Sequence, residues 1–381
     1  MAQVLCAVTM LGCESVPEED QPIETLSSAA LPLEGLSAAA LARFQVGARD
    51  FSETETAAKG LGPLFNANSC SQCHNIPMPG GAGLMRITRA GCPDGDSEQN
   101  TLVHVFSTRP DLGAASVRTD CAAIVTERRT TSLMGAGLIE AIADDEIEAL
   151  AARQPRAIAG RPAYVLDIAS GSERVGHFGW KAQHATLVSF AGDAYRNELG
   201  ITNELFPEEV APNGNMQLLA AMDPTPDPEA EPGGIYKLAD FMRLLAPSVP
   251  RLPEGLAADE VSSGAHAFDR VGCQSCHFSS YVTKSTDPLL DHRKVPLYSD
   301  LLLHDVGTGD GIAQADANEH EIRTPPLWGA RHSQLWLHDG RASSMDEAIR
   351  MHGGQALESR QAYEDLEPEE RAAVIAFLNS L

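Results

Sequence analysis

The sequence predicts a mostly helical protein with long loops, in which one local arrangement occurs twice. Blocks with helical periodicity alternate with stretches rich in Gly and Pro. No region has the pattern expected of a large β-sheet. Cys-x-x-Cys-His occurs at residues 70–74 and again at 273–277, each time after a helical block and a glycine turn. These are called the first Cys motif and the second Cys motif below.

Composition and charge restrict the class of protein and its partners. The chain has 381 residues, enough for two domains, with 43% hydrophobic and 21% charged residues, as in globular proteins. Its formal net charge of -25 argues against nucleic acid as a partner. The same charge favours a basic or neutral redox protein as a partner.

The first 13 residues resemble a bacterial lipoprotein signal. An apolar run from Val4 to Gly12 is too short to cross a bilayer and is followed by Cys13 in a cleavage-box pattern. This predicts a lipid anchor on Cys13 and a periplasmic or outer-surface location. A signal peptide normally has basic residues before its apolar run, but no basic residue precedes Arg43. The alternative is that the apolar run is only an irregular N-terminal segment. Residues 14–33 have the polar, acidic composition of a linker.

The first helical block precedes the first Cys motif. In LSAAALARFQVGARDF, four apolar side chains fall on one side of a helix, and the Gly-rich LGPLFNANSC follows as a turn. The four are Leu36, Leu41, Phe44 and Val46. A second block, GIYKLADFMRLLAP, stops at Pro247. We expect the N-terminal domain to span residues 34–250, with insertions.

The same order recurs after the boundary segment APSVPRLPEG. DEVSSGAHAFDRVGCQSCH gives a helix, a glycine turn and the second Cys motif. The chain ends in LEPEERAAVIAFLNSL, where Pro368 suits the first turn of a helix. We expect a C-terminal domain at residues 251–381.

The two Cys motifs indicate covalently bound c-type haem. The spacing allows two thiols to bond to the haem vinyl groups while the adjacent imidazole reaches the iron. His74 and His277 would then be proximal ligands. A redox dithiol or a four-Cys metal site is the alternative. The predicted attachment residues are Cys70, Cys73, Cys273 and Cys276.

Two further cysteines remain once the motifs and the N-terminal segment are set aside. Cys92 and Cys121 are best explained in an exported protein as a disulfide across a loop-rich insertion. Two buried free thiols are the alternative.

Two C-terminal stretches resemble a known family. PLYSDLLLHDVGTG and IRTPPLWGARHSQLWLHDGRASSMDEAIRMHGG are similar to the di-haem oxidoreductases of peroxidase type, also called thiol oxidoreductases. That family is related to the bacterial di-haem cytochrome c peroxidases and to the enzyme that matures methylamine dehydrogenase. The resemblance runs from about residue 35 to the end. It implies an all-α fold with long loops and two cytochrome c-like haem domains.

The resemblance also suggests catalytic residues in the first domain. In GHFGWKAQHATLVSFAGDAYRNELGIT, Trp180 and Glu198 match a tryptophan and an acid of the classical di-haem peroxidases, which implies an electron bridge and a distal acid. The simpler alternatives are that Trp180 packs in the core and that Glu198 is a solvated acid on a helix. Glu140 is the rival distal acid. His177 stands where Arg is usual, and no His follows the first Cys motif where those peroxidases have a distal one.

Several histidines are further candidates around the two irons. His104 and His184 are candidate ligands of the first iron, although an unassigned histidine is more often structural. Two His-Asp pairs are expected to form hydrogen bonds in the haem pockets rather than to donate protons. They are His304, Asp305, His338 and Asp339.

The second haem is expected to have a distal ligand of its own. The related peroxidases take that ligand fourteen residues past the His of the His-Asp-Gly motif, which leads from His338 to His352. Met351 is the neighbouring alternative, but adjacent helical side chains diverge by about 100°, so only one can face the haem. We favour His352. The first haem, with no evident second ligand, would remain open.

These features predict a di-haem peroxidase. Hydrogen peroxide would react at the first haem, and a small redox protein would supply electrons through the second. Two covalent haems are the expected cofactors, and calcium is a further candidate. An enzyme that oxidises a protein partner and a purely electron-transferring cytochrome are the alternatives.

Overall fold

Helices and long loops dominate the computed structural model, which describes residues 30–91, 102–112, 124–223 and 225–381. This confirms the predicted mostly helical character. The described helices are α1 Ala38–Ser52, α2 Cys70–Cys73, α3 Ala136–Glu140, α4 Asp144–Ala151, α5 Leu187–Leu199, α6 Met216–Met222, α7 Gly234–Leu244, α8 Ala258–Arg270, α9 Met345–Arg350, α10 Leu357–Glu364 and α11 Pro368–Ser380.

Strands form only two-stranded antiparallel ribbons in the described residues, and the sequence did not predict them. The longest ribbon pairs two six-residue strands that flank residues 92–123 of the chain. The pairs are β1 Leu64–Phe65 with β3 Phe106–Ser107, β2 Arg86–Gly91 with β4 Ile124–Arg129, β5 Tyr164–Asp167 with β6 Ser172–Val175, β7 Tyr281–Val282 with β8 Lys294–Val295, and β9 Leu303–His304 with β10 Ile322–Arg323.

Two helix pairs form the framework, and each crosses at a glycine. Helix α1 packs on α7, and α8 packs on α11. A Cβ atom on Gly47 would lie 2.2 Å from the carbonyl oxygen of Lys237, and one on Gly264 would lie 1.9 Å from that of Ala373. Both glycines therefore allow the two backbones to approach more closely than any side chain would permit.

A phenylalanine follows each of these glycines by one helical turn and faces a motif histidine. The ring centroid of Phe51 lies 6.1 Å from that of His74, and Phe268 lies 6.3 Å from His277. Each ring also meets a phenylalanine of the partner helix, at 4.6 Å for Phe51 with Phe241 and 5.3 Å for Phe268 with Phe377. The two Cys motifs thus stand on equivalent helical supports.

The described residues form two main hydrophobic cores. The first is built around α1, α3, α5 and α7, and the second around α8, α10 and α11. Side chains from residues 281–302 and from Trp328 also enter the first core. The chain after the second Cys motif therefore packs back onto the N-terminal half.

Some predictions concern residues outside the described part of the chain. The signal segment 1–13, its Cys13 and residues 14–29 of the linker belong to this group, as do Cys92 and Cys121. In the residues that are described, no helix has the length and apolar character needed to span a bilayer.

Candidate functional site

Both Cys motifs fold into the same kind of turn. The first forms the single turn of α2, and the second contains a 3-10 turn at Cys273–Ser275. In each, the backbone N–H of the histidine donates to the carbonyl of the first cysteine, at 3.0 Å for His74 and 2.9 Å for His277. This turn carries the two thiols and the imidazole on one short segment, as covalent haem attachment requires.

The two motif histidines are poised as neutral metal ligands. Each Nδ1 lies near a backbone carbonyl, 3.2 Å from Gly81 for His74 and 3.0 Å from Tyr298 for His277. Burial lowers the pKa of each imidazole to about 4. A neutral ring that donates from Nδ1 keeps the Nε2 lone pair for a metal.

A cavity of about 270 Å³ opens at the second Cys motif. Cys273, Cys276 and His277 line it together with His352, and most of its other walls are apolar. Burial lowers the pKa of His277, and the charge of a protonated His352 would add to that effect. The arrangement can hold a metal between two histidines.

His352 and Met351 point in different directions. His352 lines the cavity, its Nδ1 lies 2.7 Å from the Ala348 carbonyl, and burial lowers its pKa. Met351 is 37% exposed and is not part of the cavity lining. The helical turn after α9 therefore places His352, and not Met351, in the cavity that His277 also lines, and His352 as the distal ligand stays a prediction.

The polar walls of the cavity fit an anionic ligand such as haem. Arg323 is buried in it and Arg129 is half-buried, and burial lowers the pKa of each to about 10. Their Nε atoms donate to the backbone carbonyls of Leu337 at 2.7 Å and Gly179 at 2.9 Å, and neither forms an ion pair with a carboxylate among the described residues. Buried cations of this kind call for an anion, which haem propionates would supply.

The histidines of the two His-Asp pairs also line the cavity. Nε2 of His304 lies 2.8 Å from Asp300 Oδ2, and its Nδ1 lies 3.8 Å from Cys276 Sγ. Burial lowers the pKa of His304, but the hydrogen bonds and charges of Asp300 and Cys276 together outweigh it and raise the pKa to about 10. Nε2 of His338 is buried and has no hydrogen-bond partner among the described residues, so a ligand in the cavity could bind it.

The aspartates of those pairs and Asp300 have other functions. Asp305 accepts the Gly307 N–H at 2.9 Å, and Asp339 pairs with Arg341, so each holds its own loop. Asp300 is fully buried and carries His304. Sequence reasoning missed Asp300, although it lies four residues before His304.

Trp180 lies in the wall of the same cavity. That wall extends to Ile76 and Pro77, directly after the first Cys motif, so Trp180 lies along the route between the two motifs. Its Nε1 donates to the Arg129 carbonyl at 2.9 Å. The guanidinium of Arg129 lies 5.2 Å from the ring centroid, and the His338 ring lies at 6.2 Å.

A half-buried carboxyl group stands beside the first Cys motif. Glu198, near the end of α5, accepts from Asn66 Nδ2 at 3.1 Å, and burial raises its pKa. Burial, followed by the charge of Glu198, raises the pKa of the Cys73 thiol to about 12. The carboxyl is therefore close to the motif and partly protonated in a pH range where an exposed glutamate is ionised.

Glu140, the alternative candidate to Glu198, forms an ion pair. Its carboxylate pairs with Arg243 at 2.7 Å and accepts the Leu187 N–H at 2.7 Å. It therefore joins α3, α5 and α7. This arrangement favours a structural role.

The other predicted histidines have protein partners. Nε2 of His104 lies 2.7 Å from the Asn197 carbonyl, and that of His184 lies 3.2 Å from Asp193. Nδ1 of His177, fully buried in the cavity wall, lies 3.2 Å from the Ala185 carbonyl. Contacts of this kind support structural roles for His104 and His184.

Tyr195 and Glu55 form a pair that the sequence analysis missed. The Tyr195 hydroxyl donates to Glu55 Oε1 at 2.8 Å. After burial and Cys73, the charge of Glu55 helps to raise the pKa of the Cys70 thiol, and the charge of Cys70 is among the lesser causes that raise the pKa of Tyr195. Tyr195 lies one turn before Glu198 on α5, so both face the first Cys motif. That spacing of three residues was the only local signal.

One group of four carboxylates could accept calcium, the further candidate cofactor. Glu209, Asp223, Asp227 and Glu229 have oxygen atoms within 4.8 Å of one another. Burial, followed by the neighbouring carboxylates, raises the pKa of Glu209 to about 9. A calcium site remains a prediction.

Comparisons with known proteins point to one family. A family model described as "Di-haem oxidoreductase, putative peroxidase" matches residues 112–381, which include the second Cys motif. No match is found among curated proteins.

Solved structures similar to the chain include a MauG-like protein and a diheme peroxidase. A MauG-like protein associated with microbial copper homeostasis is 14% identical, with 95% of this chain and 94% of that chain covered and a TM-score of 0.43. The diheme peroxidase BthA from Burkholderia thailandensis is 12% identical, with 89% and 86% covered and a TM-score of 0.43. Hydrazine synthase from Kuenenia stuttgartiensis is 15% identical, with 96% and 100% covered and a TM-score of 0.39.

Proposed function

Because the chain belongs to the di-haem oxidoreductase family, we propose that it reduces hydrogen peroxide at a first haem and receives electrons through a second. The observation that carries this proposal is the contrast between the two Cys motifs. His352 shares the cavity lining with His277 at the second, whereas a half-buried carboxyl group with a raised pKa accompanies the first. Peroxide chemistry needs an open metal position and a proton carrier, which only the first motif would combine.

The residues of the two motifs would hold the haems. Thioether bonds would form at the four motif cysteines, with His74 and His277 as proximal ligands and His352 as the distal ligand of the second haem. When bound, the haems would supply redox-active iron that exchanges electrons and reacts with peroxide. Arg129 and Arg323 would neutralise propionates.

Glu198 would move the proton that peroxide cleavage requires. The inner oxygen of bound peroxide must lose a proton and the outer oxygen must gain one before it leaves as water. A carboxyl group with a raised pKa, oriented by Asn66, can accept the first and return it to the second. Asn66 would keep Glu198 aimed towards the first Cys motif.

Trp180 would carry electrons between the two haems. Its ring borders a cavity that reaches from the segment after the first Cys motif to His277. An aromatic ring in that position shortens the distance over which each electron must transfer. The neighbouring backbone carbonyl and guanidinium of Arg129 would fix the ring plane.

A small basic redox protein would be the electron donor. The net charge of -25 would attract such a partner over long distances. We also propose a periplasm-facing location with a lipid anchor at Cys13, since haem is attached to this motif outside the bacterial cytoplasm.

Two measurements on the purified protein test this function. A pyridine haemochrome assay should return two covalent haems per chain. Stopped-flow mixing with hydrogen peroxide should show a fast spectral change, followed by turnover when a reduced basic cytochrome is added. One haem or none, or no reaction with peroxide, would contradict the proposal.

A further inference from the structure

The Tyr195–Glu55 pair occupies the same end of the molecule as the first Cys motif. Glu55 is buried, and its backbone N–H donates to the Asn68 carbonyl at 2.7 Å, two residues before Cys70. Tyr195 packs against the first hydrophobic core, as does Cys70. The pair is therefore held by α5 and by the segment that leads into the motif.

A phenol bonded to a carboxylate has the chemistry of a reversible one-electron donor. Loss of an electron makes a phenol strongly acidic, so oxidation is easy only where a base already accepts its proton. Burial raises the pKa of Glu55, even though the hydrogen bond from Tyr195 opposes this. Glu55 is consequently a better proton acceptor than a solvated glutamate.

Trp180 lacks these properties. Its N–H donates to a backbone carbonyl, which cannot take a proton, and the Arg129 guanidinium lies over its ring at 5.2 Å. A nearby positive charge opposes the loss of an electron from the indole. Trp180 is therefore suited to transfer electrons but poorly suited to remain oxidised by one electron.

Two other tyrosines donate to carboxylates in the described residues, and both differ from Tyr195. Tyr164 donates to Glu148 at 3.1 Å on the exposed face of β5. Tyr363 donates to Asp346 at 2.7 Å, but Arg350 also binds that carboxylate and lies 6.0 Å from the ring centroid. The Arg350 hydrogen bond lowers the pKa of Asp346, which makes it the weaker base.

We propose that Tyr195 is a redox-active residue that stores one oxidising equivalent beside the first haem, with Glu55 as its proton acceptor. The inference rests on the proposed function, which supplies hydrogen peroxide as the two-electron oxidant. Tyr195 gives one electron to the first haem site, and the haems give the other. The phenol O–H bond breaks, an O–H bond forms on Glu55, and a neutral phenoxyl radical remains. An electron arriving through the second haem and the returning proton restore the pair.

Freeze-quench electron paramagnetic resonance of the two-haem protein after mixing with peroxide tests the proposal. We expect a radical signal that narrows when ring-deuterated tyrosine is incorporated. Tyr195→Phe should abolish it, while the matched controls Tyr164→Phe and Tyr363→Phe should keep it. Glu55→Gln should slow its formation by about 10²-fold, because the base is lost. Haem content, measured in parallel, should stay at two in every variant.

The outcomes separate this inference from the proposed function. If the high-spin iron signal disappears on mixing but no tyrosyl signal forms, or if the signal survives in Tyr195→Phe, the inference is overturned and the function stands. If the iron signal does not respond to peroxide, the proposed function fails. Flash photo-oxidation of the two-haem protein then tests Tyr195 alone: a tyrosyl signal lost in Tyr195→Phe supports the inference, and an unchanged signal overturns it.

Discussion

The two Cys motifs have matching supports and different surroundings. Each stands behind a helix with a glycine crossing and a phenylalanine against the histidine, and each histidine is held by a backbone carbonyl. Around the second motif lie His352 and two arginines of the cavity wall, whereas a carboxyl group and a phenol accompany the first. Under the proposed function, the motif would hold the haem, and the residues around it would determine what the iron can do.

The low-spin state expected of the second haem should depend on one side chain near the second Cys motif. In His352→Ala, we expect the low-spin signal of the second haem in the oxidised spectrum to disappear, because the facing imidazole is removed. Met351→Ala is the matched control and should leave the signal intact, since Met351 is 37% exposed. Loss of the signal in the Met351 variant alone would reverse the assignment, and loss in neither would place the ligand elsewhere.

The first region should depend on its carboxyl group. Glu198→Gln should slow the reaction with peroxide by about 10²-fold or more, the usual scale of general acid-base catalysis, with little change in the resting spectrum. Stopped-flow absorbance measures the rate. Glu140→Gln is the control: it breaks the pair with Arg243 and should reduce stability without slowing the reaction. The reverse result would transfer the role to Glu140.

The shared support should respond alike in both regions. Gly264→Ala and Gly47→Ala should each lower the free energy of unfolding by about 1–3 kcal/mol, because the new methyl group meets a backbone carbonyl. Gly234→Ala, whose nearest neighbour would lie at 3.5 Å, should be almost neutral. Denaturant titration of the three variants compares them. Equal stability for all three would show that the helix crossings can relax.

The smallest expected effect is a pH dependence in the first region. The folded pKa of Glu198 lies above its ordinary value of about 4.5, because burial favours the protonated form. As pH rises from about 4.5 towards the folded pKa, the unfolded chain releases the Glu198 proton while the folded state keeps it. The unfolded state is thereby favoured, so the wild type loses stability relative to Glu198→Gln. We expect a difference on the order of 1 kcal/mol between pH 4.5 and 8 by denaturant titration. A constant difference would contradict the assigned shift.

Local patterns predicted much of this molecule and distant pairings did not. Helical periodicity predicted the mostly helical fold, and the spacing from His338 pointed to His352, which lines the same cavity as His277. The pairing of β2 with β4 joins segments separated by residues 92–123, so neither strand had a local signal strong enough to identify it. Tyr195 and Glu55 are 140 residues apart in the chain and meet only after α5 packs.

Charged groups were the other limit of the sequence analysis. Arg129 and Arg323 look like ordinary surface cations in sequence, and only the fold shows them in the cavity wall. Glu198 and Glu140 were rival candidate acids, with Glu198 the favoured one. Their difference comes from Arg243, which neutralises Glu140, and from Asn66, which directs Glu198 towards the first Cys motif.

The electron paramagnetic resonance spectrum of the oxidised wild-type protein, recorded before and after one equivalent of hydrogen peroxide, tests the inequality of the two regions most directly. We expect one high-spin and one low-spin haem in equal amounts at rest. Peroxide should remove the high-spin signal first, because only the first haem would be open. Two low-spin haems that do not react with peroxide would contradict the proposed inequality and indicate a cytochrome that only transfers electrons.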